Sequence, residues 1–350
     1  MKKHVIVPSI LLLSSLASGL KAQEPLQTLN IQQNKGSNKI LHRCSTMEVM
    51  EDAIRKDPSL PEKWRIEGER QYKLYLQRQQ QVSARAQKTQ NNSIIIPIVF
   101  HLVDDATTLA GISDRDIIEQ VEILNRDYAG KKLDQYTAVI PPEIAARVGR
   151  ISLKFVLARR DPGGALTTGI ERRANTTPDH ISIKSLSTGG LDPWDSSKYL
   201  NVWCGTFTGS DAGLLGIATF PFTTGQGPQG AVIAIKSLPY AGNKTRNYYP
   251  DYAEGSTLSH EIGHYFYLWH TFGDQSTCNN NDFQIQAGWP LPLGAGPEGD
   301  DTPLSKGTSS DNFVYGNPSM NYKDGCAPES FGMMYGCFMN YFDDRAMFMF

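Results

Sequence analysis

At 350 residues the chain can bury a full core, and once N-terminal segments are removed it makes one large domain or two packed lobes. A net charge of −2 with no block of like charge offers no field for nucleic acid or an anionic membrane. Five cysteines, Cys44, Cys204, Cys278, Cys326 and Cys337, are an odd number, so at least one thiol has no disulfide partner within the chain.

The N-terminus reads as an export signal over residues 1–22. Lys2, Lys3 and His4 form a basic start, 5–16 is apolar, and Ala22 is a small residue at the cleavage point. An uncleaved anchor is the alternative, but the apolar stretch is shorter than the roughly 20 residues that span a bilayer. Pro8 and Ser9 also interrupt it. The expected product is secreted, extracellular or periplasmic, with no membrane attachment after cleavage. Residues 23–92 are polar and read as a pro-segment, with helical spacing over 47–76 and an exposed, cleavable Gln/Arg/Lys-rich end over 78–92. A flexible stalk is the competing reading.

The remaining 93–350 form the expected catalytic domain. It opens with the apolar run 94–103, a buried strand. A helix follows, with Ser113 as N-cap, Asp116 three residues on, and Ile117, Val121, Leu124 and Tyr128 on one stripe. The alternating stretch 151–157 returns as a strand, and 199–203, 214–220 and 231–235 supply further strands. This order predicts an α+β architecture, a mixed twisted sheet backed by helices.

The chemistry lies in 259–270. His260 and His264 are four apart, so on a helix their imidazoles leave the same face and can share one metal ion. Glu261 can then reach a water at the metal without ligating the metal itself, the place of a general base. On a continued helix His270 would lie about 9 Å along the axis from His264, so the helix must end between them. Three protein ligands with a fourth position open is the pattern of a catalytic zinc. His101, inside an apolar strand, reads as a satisfied core histidine, and His42 and His180 have no supporting constellation. Three cysteines follow the motif in a Gly/Pro/Asn/Asp-rich region that gains from covalent closure, with Cys278 pairing Cys326 or Cys337.

These residues, with 96–103, the Leu124-Asn125-Arg126-Asp127-Tyr128 helix end, 213–221, Gly299-Asp300-Asp301-Thr302-Pro303 and 338–344, resemble the metzincin clan of zinc peptidases and, within it, the pappalysin family. The resemblance implies a two-lobe catalytic domain that acts on protein or peptide substrates. Its upper lobe carries the sheet and the zinc-binding helix; its irregular lower lobe carries a Met-turn. It implies that Met339 lies under the zinc site, that Tyr341 hydrogen-bonds the developing oxyanion, and that Cys44 holds the fourth zinc position in a latent form. It also implies calcium at Asp301 and Thr302, with Glu298 and Asp300 as further donors, although such residues equally favour a solvated turn. A preference for Arg or Lys after the cleaved bond is implied as well, through Asp343 or Asp344, and such an enzyme would cut its own 77–88 stretch. The strand near 213–219 is the expected substrate-pairing edge.

Three departures matter. Tyr267 stands where the clan has glycine, at a turn that needs a positive φ. Ala346 replaces a family cysteine, with Cys337 as a substitute. Residue 350 ends the sequence where relatives continue into a helix, which leaves the apolar tail 347–350 with an incomplete partner surface. An exported zinc-binding protein without turnover is therefore the rival reading, and retention of Glu261 argues against it.

Overall fold

The computed structural model describes residues 42–83, 93–135, 140, 145–146, 148–175, 179–220, 227–240, 247–271 and 336–350. The export signal, Cys278, Cys326 and the calcium candidates Asp301 and Thr302 lie outside the described residues.

The N-terminal segment supplies β1 (His42–Cys44), α1 (Thr46–Lys56) and α2 (Leu60–Ser83). Next come β2 (Ile94–Asp104), α3 (Ala106–Ala110), α4 (Asp114–Tyr128), β3 (Leu153–Leu157) and β4 (Ile170–Ala174). Then follow β5 (Leu200–Gly205), β6 (Leu214–Ala218), β7 (Ala231–Ala234) and α5 (Ser256–Tyr265). The strands form one sheet in the order β1-β6-β7-β5-β2-β3, with β4 also paired to β2. β6 runs antiparallel to β7 and the other pairs are parallel, which makes the sheet mixed.

β2 is a nearly continuous apolar run because both of its faces are covered from Ile98 onward. Ile98, Phe100 and Leu102 join the main core with α4 and α5, while Val99 and Val103 enter clusters on the opposite face. α4 starts as expected. The Asp116 carboxylate accepts the Ser113 N–H at 2.8 Å and the Asp116 N–H reaches the Ser113 hydroxyl, a reciprocal capping box. Its Ile117, Val121, Leu124 and Tyr128 stripe is buried against Leu258 and Ile262 of α5. The Tyr128 hydroxyl donates to the Ser259 carbonyl at 3.2 Å, which ties the two helices together.

A second cluster joins Leu133, Ile140 and Val148 to Cys337, Met339, Phe348 and Met349. The tail expected to lack a partner surface is buried at Met347, Phe348 and Met349. The reason is that it folds back on 336–338, where the Phe338 N–H donates to the Met349 carbonyl at 2.8 Å. The Phe350 ring lies tilted against that of Tyr128, 4.5 Å between centroids. Among the described residues no helix is long and apolar enough to cross a membrane.

Candidate functional site

α5 ends where the spacing requires. The Leu268 N–H donates to the Gly263 carbonyl at 2.9 Å and the Tyr267 N–H to the His264 carbonyl at 2.8 Å, a Schellman closure with Tyr267 at the left-handed position. Tyr267 has φ 72°, the one positive φ outside glycine among the described residues. A β-carbon in that region costs about 1–2 kcal/mol. Its ring packs edge-on to Phe220 at 5.5 Å and Trp269 at 6.1 Å, contacts that offset the strain.

The closure swings His270 back to the helix. The three Nε2 atoms of His260, His264 and His270 lie 3.1, 3.1 and 3.2 Å apart, and with the Cys44 sulfur all four donor atoms fall within 4.8 Å of one another, all buried. His260 donates through Nδ1 to the Phe338 carbonyl at 2.6 Å and His264 through Nδ1 to the Leu268 carbonyl at 2.8 Å. A carbonyl can only accept, so in the neutral rings the proton sits on Nδ1 and each Nε2 turns a bare lone pair into the cluster. Burial, then the neighbouring His270, holds His264 well below the usual imidazole range, which favours the neutral form. Converging lone pairs repel unless a cation lies between them. Tetrahedral zinc about 2.0–2.1 Å from each nitrogen needs edges of about 3.3–3.4 Å, close to those observed. The donor set fits zinc. Burial and then the Glu261 carboxylate push the Cys44 thiol well above its usual range, so a thiolate there also calls for a cation.

β1 brings Cys44 to this point by pairing with β6, Cys44 opposite Gly216. Glu261 packs against the same glycine, where an added Cβ would lie 2.5 Å from Oε1. The Thr46 hydroxyl donates to Glu261 Oε2 at 3.3 Å and accepts the Ala218 N–H at 2.9 Å. The Tyr341 hydroxyl donates to the Cys44 carbonyl at 3.2 Å, with its ring 4.7 Å from that of His270. Met339 is buried, and its sulfur sits so close to Gly263, between the two helix histidines, that a Cβ there would collide with it.

Asp343 and Asp344, the candidates for reading a basic side chain, are both fully buried. Asp344 accepts the backbone N–H groups of Glu254 and Ser256 at 3.0 and 3.1 Å and so caps α5. Asp343 accepts the Ala346 N–H at 2.9 Å and lies 3.7 Å from Arg345. Sequence reasoning missed Thr46, Gly216 and Lys132. The buried Lys132 ammonium donates to the Ser256 hydroxyl at 2.9 Å and to the Asp344 carbonyl, and so locks α5 to the chain after Met339. No spacing rule marks these three, because each acts through a partner distant in sequence.

His101 stands away from the cluster, held by Glu171 at 2.7 Å and Asn201 at 3.0 Å. His42 begins β1, and His180 pairs with Asp211 at 2.6 Å. Cys204 is a buried free thiol, and Cys337 is buried with its sulfur accepting the Met339 N–H at 3.4 Å.

A peptidase M43 family model, described as pregnancy-associated plasma protein-A, matches residues 190–350. Promirolysin of Tannerella forsythia, in a mutant form, is 28% identical, with a TM-score of 0.64 over 88% of this chain and 90% of that one. Mature mirolysin from the same organism, in complex with a cleaved peptide, is 32% identical, with a TM-score of 0.60 over 74% of this chain and 87% of that one. An extracellular metalloprotease of Arthroderma benhamiae is 27% identical over 240 residues, 65% of this chain and 67% of that protein.

Proposed function

The chain belongs to the pappalysin family of metzincin metalloendopeptidases, and from that premise we propose that it is a secreted zinc endopeptidase made as a latent precursor, with His260, His264 and His270 as the metal ligands. The observation that carries this reading is the buried convergence of three Nε2 atoms beside the Glu261 carboxylate.

Bound zinc would supply a Lewis acid that polarises the substrate carbonyl. The chain's own residues do the rest. The edge of β6 that β1 covers in the full chain, once freed, pairs with an extended peptide and lays its scissile carbonyl beside Glu261. Glu261 takes a proton from the attacking water and delivers it to the leaving amine. The Tyr341 hydroxyl, whose acceptor here is the Cys44 carbonyl, turns to the substrate oxygen as negative charge builds on it. Met339, packed on Gly263, keeps the helix histidines in place.

Latency follows from Cys44. While β1 lies on β6, the sulfur fills the fourth position of the cluster and the segment blocks the edge a substrate needs. In support, the precursor relative matches more of this chain than the mature one does. The relatives named as extracellular and the basic-then-apolar N-terminus favour export. Cleavage before Arg or Lys, self-cutting within 77–88, and calcium at Asp301 and Thr302 complete the reading. Asp343 is the better specificity candidate, since Asp344 already accepts two backbone N–H groups at the start of α5, from Glu254 just before it and from Ser256.

The test is zinc content and cleavage of Arg- and Lys-containing peptides after removal of the pro-segment, beside Glu261→Ala. Zinc in both proteins with cleavage lost in the variant is expected. Zinc in both with cleavage in neither would favour the rival binding protein, and absence of zinc would sink both readings.

A further inference from the structure

A peptide lying along β6 passes through the reaction centre, because β1 does so in the full chain: Cys44 pairs with Gly216, and its sulfur sits among the three histidines. β1 runs parallel to β6. A substrate of the opposite polarity gains the more stable antiparallel ladder, and it then extends its N-terminal half toward the C-terminal end of β6. Two residues past that end stands Phe220, its ring 5.0 Å from Trp269, 5.5 Å from Tyr267 and 5.4 Å from His264.

These rings form an apolar shelf beside the metal cluster. In the full chain Met47, Met50, Leu60 and Trp64 of α1 and α2 pack with it as one cluster. Release of the pro-segment therefore uncovers an aromatic surface in line with the substrate edge. Phe220 is four residues past Gly216 and its ring reaches back to 5.4 Å from that of His264, so at about 3.3 Å per residue the shelf spans the level of a residue two to four places before the bond cleaved near Gly216. Tyr267 holds its ring on the shelf in a left-handed backbone where glycine would end the helix without strain. The side chain is thus kept against backbone preference at the place where it widens the shelf.

We propose that Phe220, Tyr267 and Trp269 form a subsite of the mature enzyme that binds a bulky apolar or aromatic side chain two to four residues N-terminal to the cleaved bond. Tyr267 is its specificity-determining residue. The proposal rests on the peptidase reading and on removal of the pro-segment.

The test starts from the full chain, folded, loaded with zinc and then converted by limited cleavage within 77–88. Peptides that carry Phe, Leu, Ala or Ser at each of the four positions before the cleaved bond are compared in the wild type and in Tyr267→Gly, a change that relieves backbone strain. The wild type should favour Phe or Leu over Ala at one of these positions by about tenfold in kcat/KM, and the variant by about twofold or less. Equal ratios in the two proteins, or a wild type indifferent to these positions, would overturn the subsite. A Tyr267-dependent preference on the C-terminal side of the bond would overturn the assigned polarity. The same peptides titrated by tryptophan fluorescence onto the Glu261→Ala form read the shelf without turnover. Selective binding there, with no cleavage by the wild type, would count against the peptidase reading alone.

Discussion

Replacing Gly216 by alanine should disable the general base while leaving the metal cluster intact. The new Cβ would meet Glu261 Oε1 at 2.5 Å, its Cγ at 2.6 Å and its Cδ at 2.7 Å, three atoms of one side chain. Ordinary carbon contacts begin at about 3.5 Å, so the carboxylate must retreat by about 1 Å. It has little room, because Glu261 leaves the middle of α5 directly against β6, and all three of the nearest atoms to the new Cβ belong to its side chain. A misplacement of about 1 Å in a reacting group costs about a hundredfold in rate. The assay is kcat for a peptide substrate by the activated protein, with zinc measured on the same sample. The expected outcome is a kcat about a hundredfold lower with zinc at the wild-type level, since the atoms nearest the new Cβ belong to Glu261 and not to a histidine. A kcat within about threefold of wild type, with zinc bound, would refute the placement of Glu261 as base.

Cys44→Ala in the full chain should leave the fourth position open and raise peptide cleavage by the unprocessed precursor, as read by hydrolysis before any chain cleavage appears on a gel. Asp344→Asn should remove the charge that caps α5 through Glu254 and Ser256, cost about 1–2 kcal/mol and lower the Tm by several degrees. Burial pushes the Lys184 ammonium, packed over Trp203, down to about 8. An unfolded chain keeps that proton to about pH 10.4. The unfolded state therefore binds more protons between those values, and the penalty of the buried charge is full below pH 8 and fades above it. Lys184→Met should raise the Tm at pH 7, with the gain shrinking as the pH passes 8; a gain constant from pH 7 to 10 would contradict this.

The sequence by itself determined the elements whose cause is local. The Ser113 and Asp116 cap, the α4 stripe and the β2 run are written in periodicities of 3.6 and 2, and each is where the pattern puts it. The histidine cluster was legible for the same reason: a helix turn sets His260 beside His264, and the distance to His270 demands a helix end. Even the cost at Tyr267 could be foreseen, because a Schellman closure has one left-handed position.

Only the tertiary structure decided the rest, because the remaining placements depend on pairings between distant segments. β1 is three residues long and β4 is rich in charge, and neither announces itself as a strand until β6 and β2 offer their edges. Asp344 reads in sequence as a surface acid near a binding pocket, yet folding buries it at the start of α5, where unsatisfied helix N–H groups attract a carboxylate. The apolar tail found its partner in α4 and the 336–338 segment, contacts no local pattern encodes. Gly216 gained its meaning only when Glu261, far along the chain on another element, came to rest against it.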